Sequence, residues 1–338
     1  MSGLRQRRWR VRTSILAVIL CWLFAGTAAS AGDARDDAPR LLAITIDDLP
    51  WAVMDGLSEA QLQSRHERLM RQLDLAGVPV TGFVNEGKLE VDGKVDPQRL
   101  ARVEDWVTRG HVLGNHTHGH VDLHAVGLEA FQEDVLRGER QLRPMLAAHG
   151  TAPRWFRHPY LRAGRTPRDR AALDAFLAKH GYRVAPVTVD NSDWLWAAAY
   201  RNVLDGLSNE AARERTLARL RTDYVPYMFD KIDYFDRQSR QLLGRSIAQI
   251  WLLHANELNA EVFGELVEGA RARGNRIVGL DEAMRDPAYA RGAEGYDGPR
   301  GPSWLHRWAI GAGKQPGFFT GEPETPAWVV ALAGFDSE

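Results

Sequence analysis

Leu41-Leu42-Ala43-Ile44-Thr45-Ile46-Asp47-Asp48 is a short apolar run that ends abruptly in two adjacent carboxylates. An amphipathic stretch from Ser58 to Leu75 follows it, and a second strand-like run, Val80 to Val84, comes next. The same alternation continues downstream. Val112 to Asn115, Trp155 to Arg157, Arg183 to Val187, Ile250 to Leu253 and Arg276 to Val278 read as strands. Pro97 to Arg109, Leu128 to Ala148, Pro167 to His180 and Ala260 to Arg273 read as helices. Strands joined by crossover helices build a parallel sheet, so the fold class is α/β.

The polar residues with chemical potential fall at the C-terminal ends of these strands: Asp47, Asp48, His116, Arg157, Asp190 and His254. In a β/α barrel the strand ends converge on one mouth, where catalytic groups gather. His116 and His120, four residues apart, would face the same way on a helical turn and could grip one ion. One carboxylate and two imidazoles suit Zn²⁺, with Co²⁺ or another first-row ion as alternatives, and leave positions open for water and substrate.

The chain begins with Arg5, Arg7, Arg8, Arg10 and Arg12, continues through an apolar stretch from Ile15 to Phe24, and reaches small residues ending Ala29-Ser30-Ala31. This is the pattern of a secretory signal peptide over residues 1–31, too short in its apolar part for a comfortable membrane span. Export to the periplasm or beyond is the expectation, with no stable span after cleavage. Cys21, the one cysteine, lies within that stretch. The mature chain therefore has neither a disulfide nor a thiol nucleophile, which excludes cysteine proteases and Cys-rich zinc modules. A net charge of −1 and the absence of a basic stripe give no sign of nucleic-acid binding.

Thr45-Ile46-Asp47-Asp48, His116-Thr117-His118-Gly119-His120, Arg157-His158-Pro159-Tyr160, Asp190-Asn191-Ser192-Asp193-Trp194 and Leu252-Leu253-His254 occur in this order. Together they resemble the polysaccharide deacetylases of carbohydrate esterase family 4, which carry the NodB homology domain. The resemblance spans roughly residues 40–285 and implies a distorted (β/α)₇ barrel. It also implies metal-dependent removal of acetyl groups, chiefly N-acetyl, from a glycan or oligosaccharide.

By that resemblance Asp48, His116 and His120 bind the metal, and Asp47 is the base that takes a proton from the activated water. Arg157 holds Asp47 ionised and oriented. The backbone N–H of Tyr160 helps stabilise the oxyanion. His254 is the acid that protonates the leaving amine, with Asp193 keeping it charged, and Trp194 and Leu252 line the pocket for the acetyl methyl. Asp190 is expected to cap or brace its loop.

One departure stands beside the carboxylates. The family usually has Gly after the two aspartates, whereas this chain has Leu49. The expected effect is bulk next to the base, unfavourable to a long flat polymer. Two regions fall outside the simple alternation. Trp194 to Arg245 reads as a largely helical insertion whose Tyr224, Tyr227, Phe229, Tyr234 and Phe235 form a packing face. Residues 286–338 read as a Gly/Pro-rich extension lying against the barrel. Rival functions are a hydrolase of a non-sugar amide or ureide on the same barrel, and a non-catalytic carbohydrate-binding protein.

Overall fold

The computed structural model describes residues 40–337. The stretch read as a signal peptide, with Cys21, lies outside them. Nine strands are described: β1 (Arg40–Leu49), β2 (Val80–Val84), the two-residue strands β3 (Glu90–Val91) and β4 (Lys94–Val95), β5 (Val112–Asn115), β6 (Trp155–Phe156), β7 (Arg183–Val184), β8 (Gln249–His254) and β9 (Asn275–Val278). β3 and β4 form a separate antiparallel hairpin. The other seven make one sheet in the order β7-β6-β5-β2-β1-β8, with β9 also on β1.

Every pair in that sheet is parallel, as helical crossovers require. β8 covers β1 from Leu42 to Asp47. β9 meets Arg40 to Ala43 and β2 takes over from Ile44, so these two strands share the opposite edge of β1 in succession. The sheet curls round on itself because the chain leaving β7 returns to the free edge of β8. Val189 bridges Trp251 in parallel, and Thr188 Oγ1 accepts the Ile250 N–H at 2.7 Å. The result is the expected α/β barrel, distorted and closed at one point by this bridge.

β7 ends earlier than the sequence suggests. Ala185 still donates to the Phe156 carbonyl, but Pro186 has no N–H to continue the ladder. The helix expected over Leu128 to Ala148 is two helices, Leu128–Arg137 and Leu142–Ala148. Gly138 ends the first, and the buried carboxylate of Glu86 accepts the Gln141 and Leu142 N–H groups that open the second.

The insertion is helical, as Asp193–Gly206 and the 34-residue helix Glu210–Leu243. Tyr224, Tyr227, Phe229, Tyr234 and Phe235 are all buried, which makes them its packing face. Trp304, Leu305 and Trp308 on the helix Trp304–Gly311, and Val329 on the helix Ala327–Ala333, join the same apolar core as β1 and β8. Among the described residues no helix is long and apolar enough to cross a membrane.

Leu49 corrects the sequence expectation. Its side chain is fully buried, and a Cβ added at Gly82 on β2 would collide with its Cδ1. Leucine here fills the core above a glycine on the neighbouring strand and adds no bulk at the mouth. Leu49→Ala should therefore act as a core truncation, lowering unfolding free energy by about 2–5 kcal/mol in urea denaturation. A stability change within experimental error would show that the side chain is not core.

Candidate active site

In a regular strand Asp47 and Asp48 would point to opposite faces. The register between β1 and β2 slips between Ile46 and Leu49, and Asp48 adopts φ 72°. This left-handed residue, uncommon outside glycine, turns both carboxylates toward the same imidazole. His116 Nε2 lies 3.8 Å from Asp47 Oδ2 and 3.8 Å from Asp48 Oδ1.

The two imidazoles are on a loop, not on the helical turn that their spacing suggests. Thr117 and His120 take φ values of 66° and 50°. The loop is held by side chains from the surrounding elements. Asn85 Nδ2 donates to the His116 carbonyl at 2.6 Å, and the Thr117 N–H donates to Asn115 Oδ1 at 2.7 Å. The Gly119 N–H donates to Asp134 Oδ2 at 2.8 Å, and the His120 N–H to Thr117 Oγ1 at 3.0 Å. Gly138 also belongs to this support, since any Cβ there would stand 2.6 Å from the Thr117 carbonyl carbon. The break between the two helices thus leaves room for the loop.

His116 Nδ1 donates to the Arg157 carbonyl at 2.8 Å, which leaves its Nε2 lone pair directed to the carboxylates. His120 Nε2 is 3.6 Å from Asp48 Oδ1. One ligand atom each from Asp48, His116 and His120 lies within 4.8 Å of the other two. Asp48 Oδ1 is buried without a hydrogen-bond partner. An orphaned carboxylate oxygen facing two neutral imidazoles fits a small divalent cation. Burial pushes both imidazoles below their usual pKa, which favours the neutral, ligating form. His118 is turned away, bonded to Glu90 at 3.1 Å and to Arg137 at 3.0 Å.

The two carboxylates differ in their surroundings. Burial raises Asp47 to about 6, against the pull of Arg157 and His254 and with the adjacent Asp48 charge adding to the rise. Burial would raise Asp48 too, but Lys88, His120, His254 and His116 together hold it well below the usual carboxylate range. Arg157 is fully buried and every part of its guanidinium is engaged. Nη1 donates to Asp47 Oδ2 at 3.3 Å, Nη2 to Thr45 Oγ1 at 3.0 Å and Nε to the Ala185 carbonyl at 2.8 Å. The group also lies 4.7 Å from the centre of the Phe83 ring.

On the neighbouring strand β8, His254 lies beside Asp47 in register. His254 Nδ1 donates to Asp193 Oδ1 at 2.6 Å, and its backbone N–H to Asp193 Oδ2 at 2.8 Å. Burial would lower the imidazole, but Asp193 overcomes this and raises His254 to about 9. Asp190 Oδ1 accepts the Asn191 N–H at 2.9 Å, and burial raises that carboxyl to about 6. Trp194 is half exposed and meets the Phe335 ring edge-on at 5.2 Å, while Leu252 is buried. Tyr160, at φ 54°, puts its ring edge-on to His120 at 4.6 Å between centroids.

Lys88, Asn256 and Asn259 were not singled out from the sequence, and Tyr224 was read only as part of a packing face. Lys88 Nζ donates to the carbonyls of Ala52 at 3.1 Å and Asp48 at 3.3 Å, and lies 3.5 Å from Asp48 Oδ1. Asn259 Nδ2 donates to Asp193 Oδ2 at 2.9 Å, and Asn256 Nδ2 reaches the same oxygen at 3.4 Å. Tyr224 of the insertion donates to Asn259 Oδ1 at 2.8 Å. The only sequence trace of this network is the pair of asparagines two and five residues after His254.

Residues 34–185 match the polysaccharide deacetylase family model. This part of the chain belongs to the polysaccharide deacetylase family. Asp193, Trp194, Leu252 and His254 lie beyond the matched residues, and the fold brings Asp193 and His254 to the same mouth. Among solved structures, a chitin deacetylase from the fungal pathogen Colletotrichum lindemuthianum is 21% identical, with 72% of this chain and 87% of that chain covered and a TM-score of 0.45. A peptidoglycan N-acetylglucosamine deacetylase is 19% identical over 72% and 88%, with a TM-score of 0.46. A mutant, with restored activity, of a CE4 family pseudoenzyme from Bacillus anthracis is 16% identical over 73% and 68%, with a TM-score of 0.45. Comparison with curated proteins finds no match.

The ligand set and its support make separate predictions for metal binding. His116→Ala and His120→Ala should each abolish stoichiometric Zn²⁺ uptake in calorimetric titration. Asp134→Ala, which frees the Gly119 N–H and removes the Arg137 ion pair, should weaken uptake by about 10–100-fold. Full affinity in all three proteins would remove the site.

Proposed function

We propose that this chain is an exported metal-dependent deacetylase that hydrolyses acetyl groups, N-acetyl by preference, from a glycan or oligosaccharide. One observation carries the reading. A carboxylate held by a buried arginine and a histidine charged by a buried aspartate lie side by side in register on adjacent strands, with a three-donor ligand set near the carboxylate. A storage or structural cation site needs no such pair of proton carriers, one acid and one base.

Asp48, His116 and His120 would hold the ion, with Zn²⁺ favoured by the donor set and Co²⁺ an alternative. When bound, the ion would polarise the acetyl carbonyl and lower the pKa of a water molecule toward about 7. Asp47 would take the proton of the attacking water, and Arg157 holds the carboxylate in place through Oδ2. The main-chain N–H of Tyr160 donates to the developing oxyanion, while Trp194 and Leu252 receive the methyl. His254 then delivers its proton to the nitrogen as the C–N bond breaks, so that acetic acid and a neutral amine leave, the acid passing its proton to solvent. An amine is a poor leaving group without that proton, which is why a histidine kept charged supports an amide substrate over an ester.

Acetate release from N-acetylglucosamine oligomers, with Zn²⁺ and with chelator, tests the proposal. Zinc-dependent release is expected, and its absence across N- and O-acetylated glycans would contradict it. Asp47→Asn should retain Zn²⁺ and lose at least about 10²-fold in kcat; undiminished turnover would remove the base assignment. The acid must carry its proton, so kcat/KM should fall as pH rises through about 9. Asp193→Asn should move that alkaline limb down toward the unperturbed histidine value of about 6.5. An unmoved limb in the variant would show that another group sets it.

A further inference from the structure

We infer that the C-terminal segment from Gly301 to Arg307 positions the Pro159–Arg162 loop and through it the Tyr160 main chain, an inference that rests on the deacetylase reading only for its catalytic consequence. Tyr160 and Leu161 both occupy the left-handed region, at φ 54° and 53°. Two consecutive non-glycine residues there persist only where their surroundings impose it. The loop's own bonds, Leu161 N–H to the His158 carbonyl at 3.0 Å and Arg162 N–H to the Pro159 carbonyl at 3.1 Å, close the turn but leave the Leu161 carbonyl to be satisfied. Arg307 satisfies it: Nη2 donates to Leu161 O at 2.6 Å, in a side chain that is 1% exposed.

Apart from that bond, the contacts that orient Arg307 come from the C-terminal extension. Its Nε donates to the Pro302 carbonyl at 3.1 Å, and its guanidinium lies 5.0 Å from the Trp304 ring and 5.5 Å from the Tyr296 ring. The Trp304 N–H donates to the Val187 carbonyl at 2.8 Å, which anchors the extension beside the barrel strands. The Trp304 ring stacks on His158, the residue before the loop, at 6.3 Å. Gly301 lies so close to the loop that any Cβ would collide with the Tyr160 carbonyl oxygen. The extension therefore fixes both carbonyls of the left-handed pair, one by a hydrogen bond and one by contact. The ring of the first residue of that pair rests on the metal-loop residue His120.

Three readouts separate this role from general stability. Arg307→Ala and Gly301→Ala should speed hydrogen exchange of the Leu161 and Arg162 N–H groups at least about tenfold. Leu217→Ala, a buried truncation on the distant insertion helix, should lower the melting temperature without that local effect. In the zinc-loaded protein the two loop-directed variants should lose at least about tenfold in kcat, with KM and Zn²⁺ affinity within twofold. Arg307→Lys, which keeps a donor, should recover part of the loss. The loss should be equal on 4-nitrophenyl acetate, whose leaving group needs no proton, and on N-acetylglucosamine oligomers; a defect in His254 would spare the former. Unchanged exchange in Arg307→Ala overturns the inference whatever the activity. Faster exchange with unchanged kcat overturns its catalytic part. If the unaltered protein releases no acetate, the deacetylase reading fails, and the exchange result alone decides whether the extension holds the loop.

Discussion

The backbone reversal at Asp48 is the constraint on which the site depends. Strand geometry alternates side chains, and an uninterrupted β1 would bury one carboxylate in the barrel wall away from the other. With φ at 72° the strand slips register by a residue, and the two acids address one imidazole. That conformation is unfavourable for aspartate, and the structure meets its cost through what surrounds it. Leu49 locks into the space above Gly82 on one side, and Lys88 donates to the Asp48 carbonyl on the other.

Once both acids share a face, their environments divide them. Two buried carboxylates cannot both be ionised without compensation. Arg157 compensates Asp47 incompletely, because burial dominates and leaves it near 6, close to where a proton acceptor is useful. Lys88 leads the cations that overcompensate Asp48, which stays ionised, as a metal ligand would have to be. The same logic runs in the opposite sense at His254, where Asp193 reverses the effect of burial. The asymmetry comes from which partners reach which oxygen, and the partners come from elements distant in the chain.

That distance explains what the sequence could show. β2 and β5 are found where the apolar runs place them, because such runs are bounded by clear breaks. The metal-binding candidates were legible as residue types and spacing, yet the backbone that unites His116 and His120 is a left-handed loop, and four-residue spacing alone reads as helix. The split at Gly138 was hidden because apolar periodicity continues through it, and its cause, the Thr117 carbonyl beneath, is a tertiary contact. Leu49 was misread for the same reason: whether it faces the mouth or the core is decided by Gly82 on the neighbouring strand. Lys88 acts by long-range bonds and has no local signature, while Tyr224 reads as a packing residue and only the fold brings its hydroxyl to Asn259. The C-terminal extension showed its Gly/Pro-rich composition but not that Arg307 within it reaches the loop of Tyr160.

The division of labour between the adjacent aspartates is tested most directly by a crystal structure of the zinc-loaded protein with anomalous scattering at the metal edge. One ion is expected at about 2.0–2.2 Å from an Asp48 oxygen and the Nε2 atoms of His116 and His120, with Asp47 outside the coordination sphere and still bonded to Arg157. An ion ligated by Asp47, or one bound away from the His116 and His120 pair, would contradict the account.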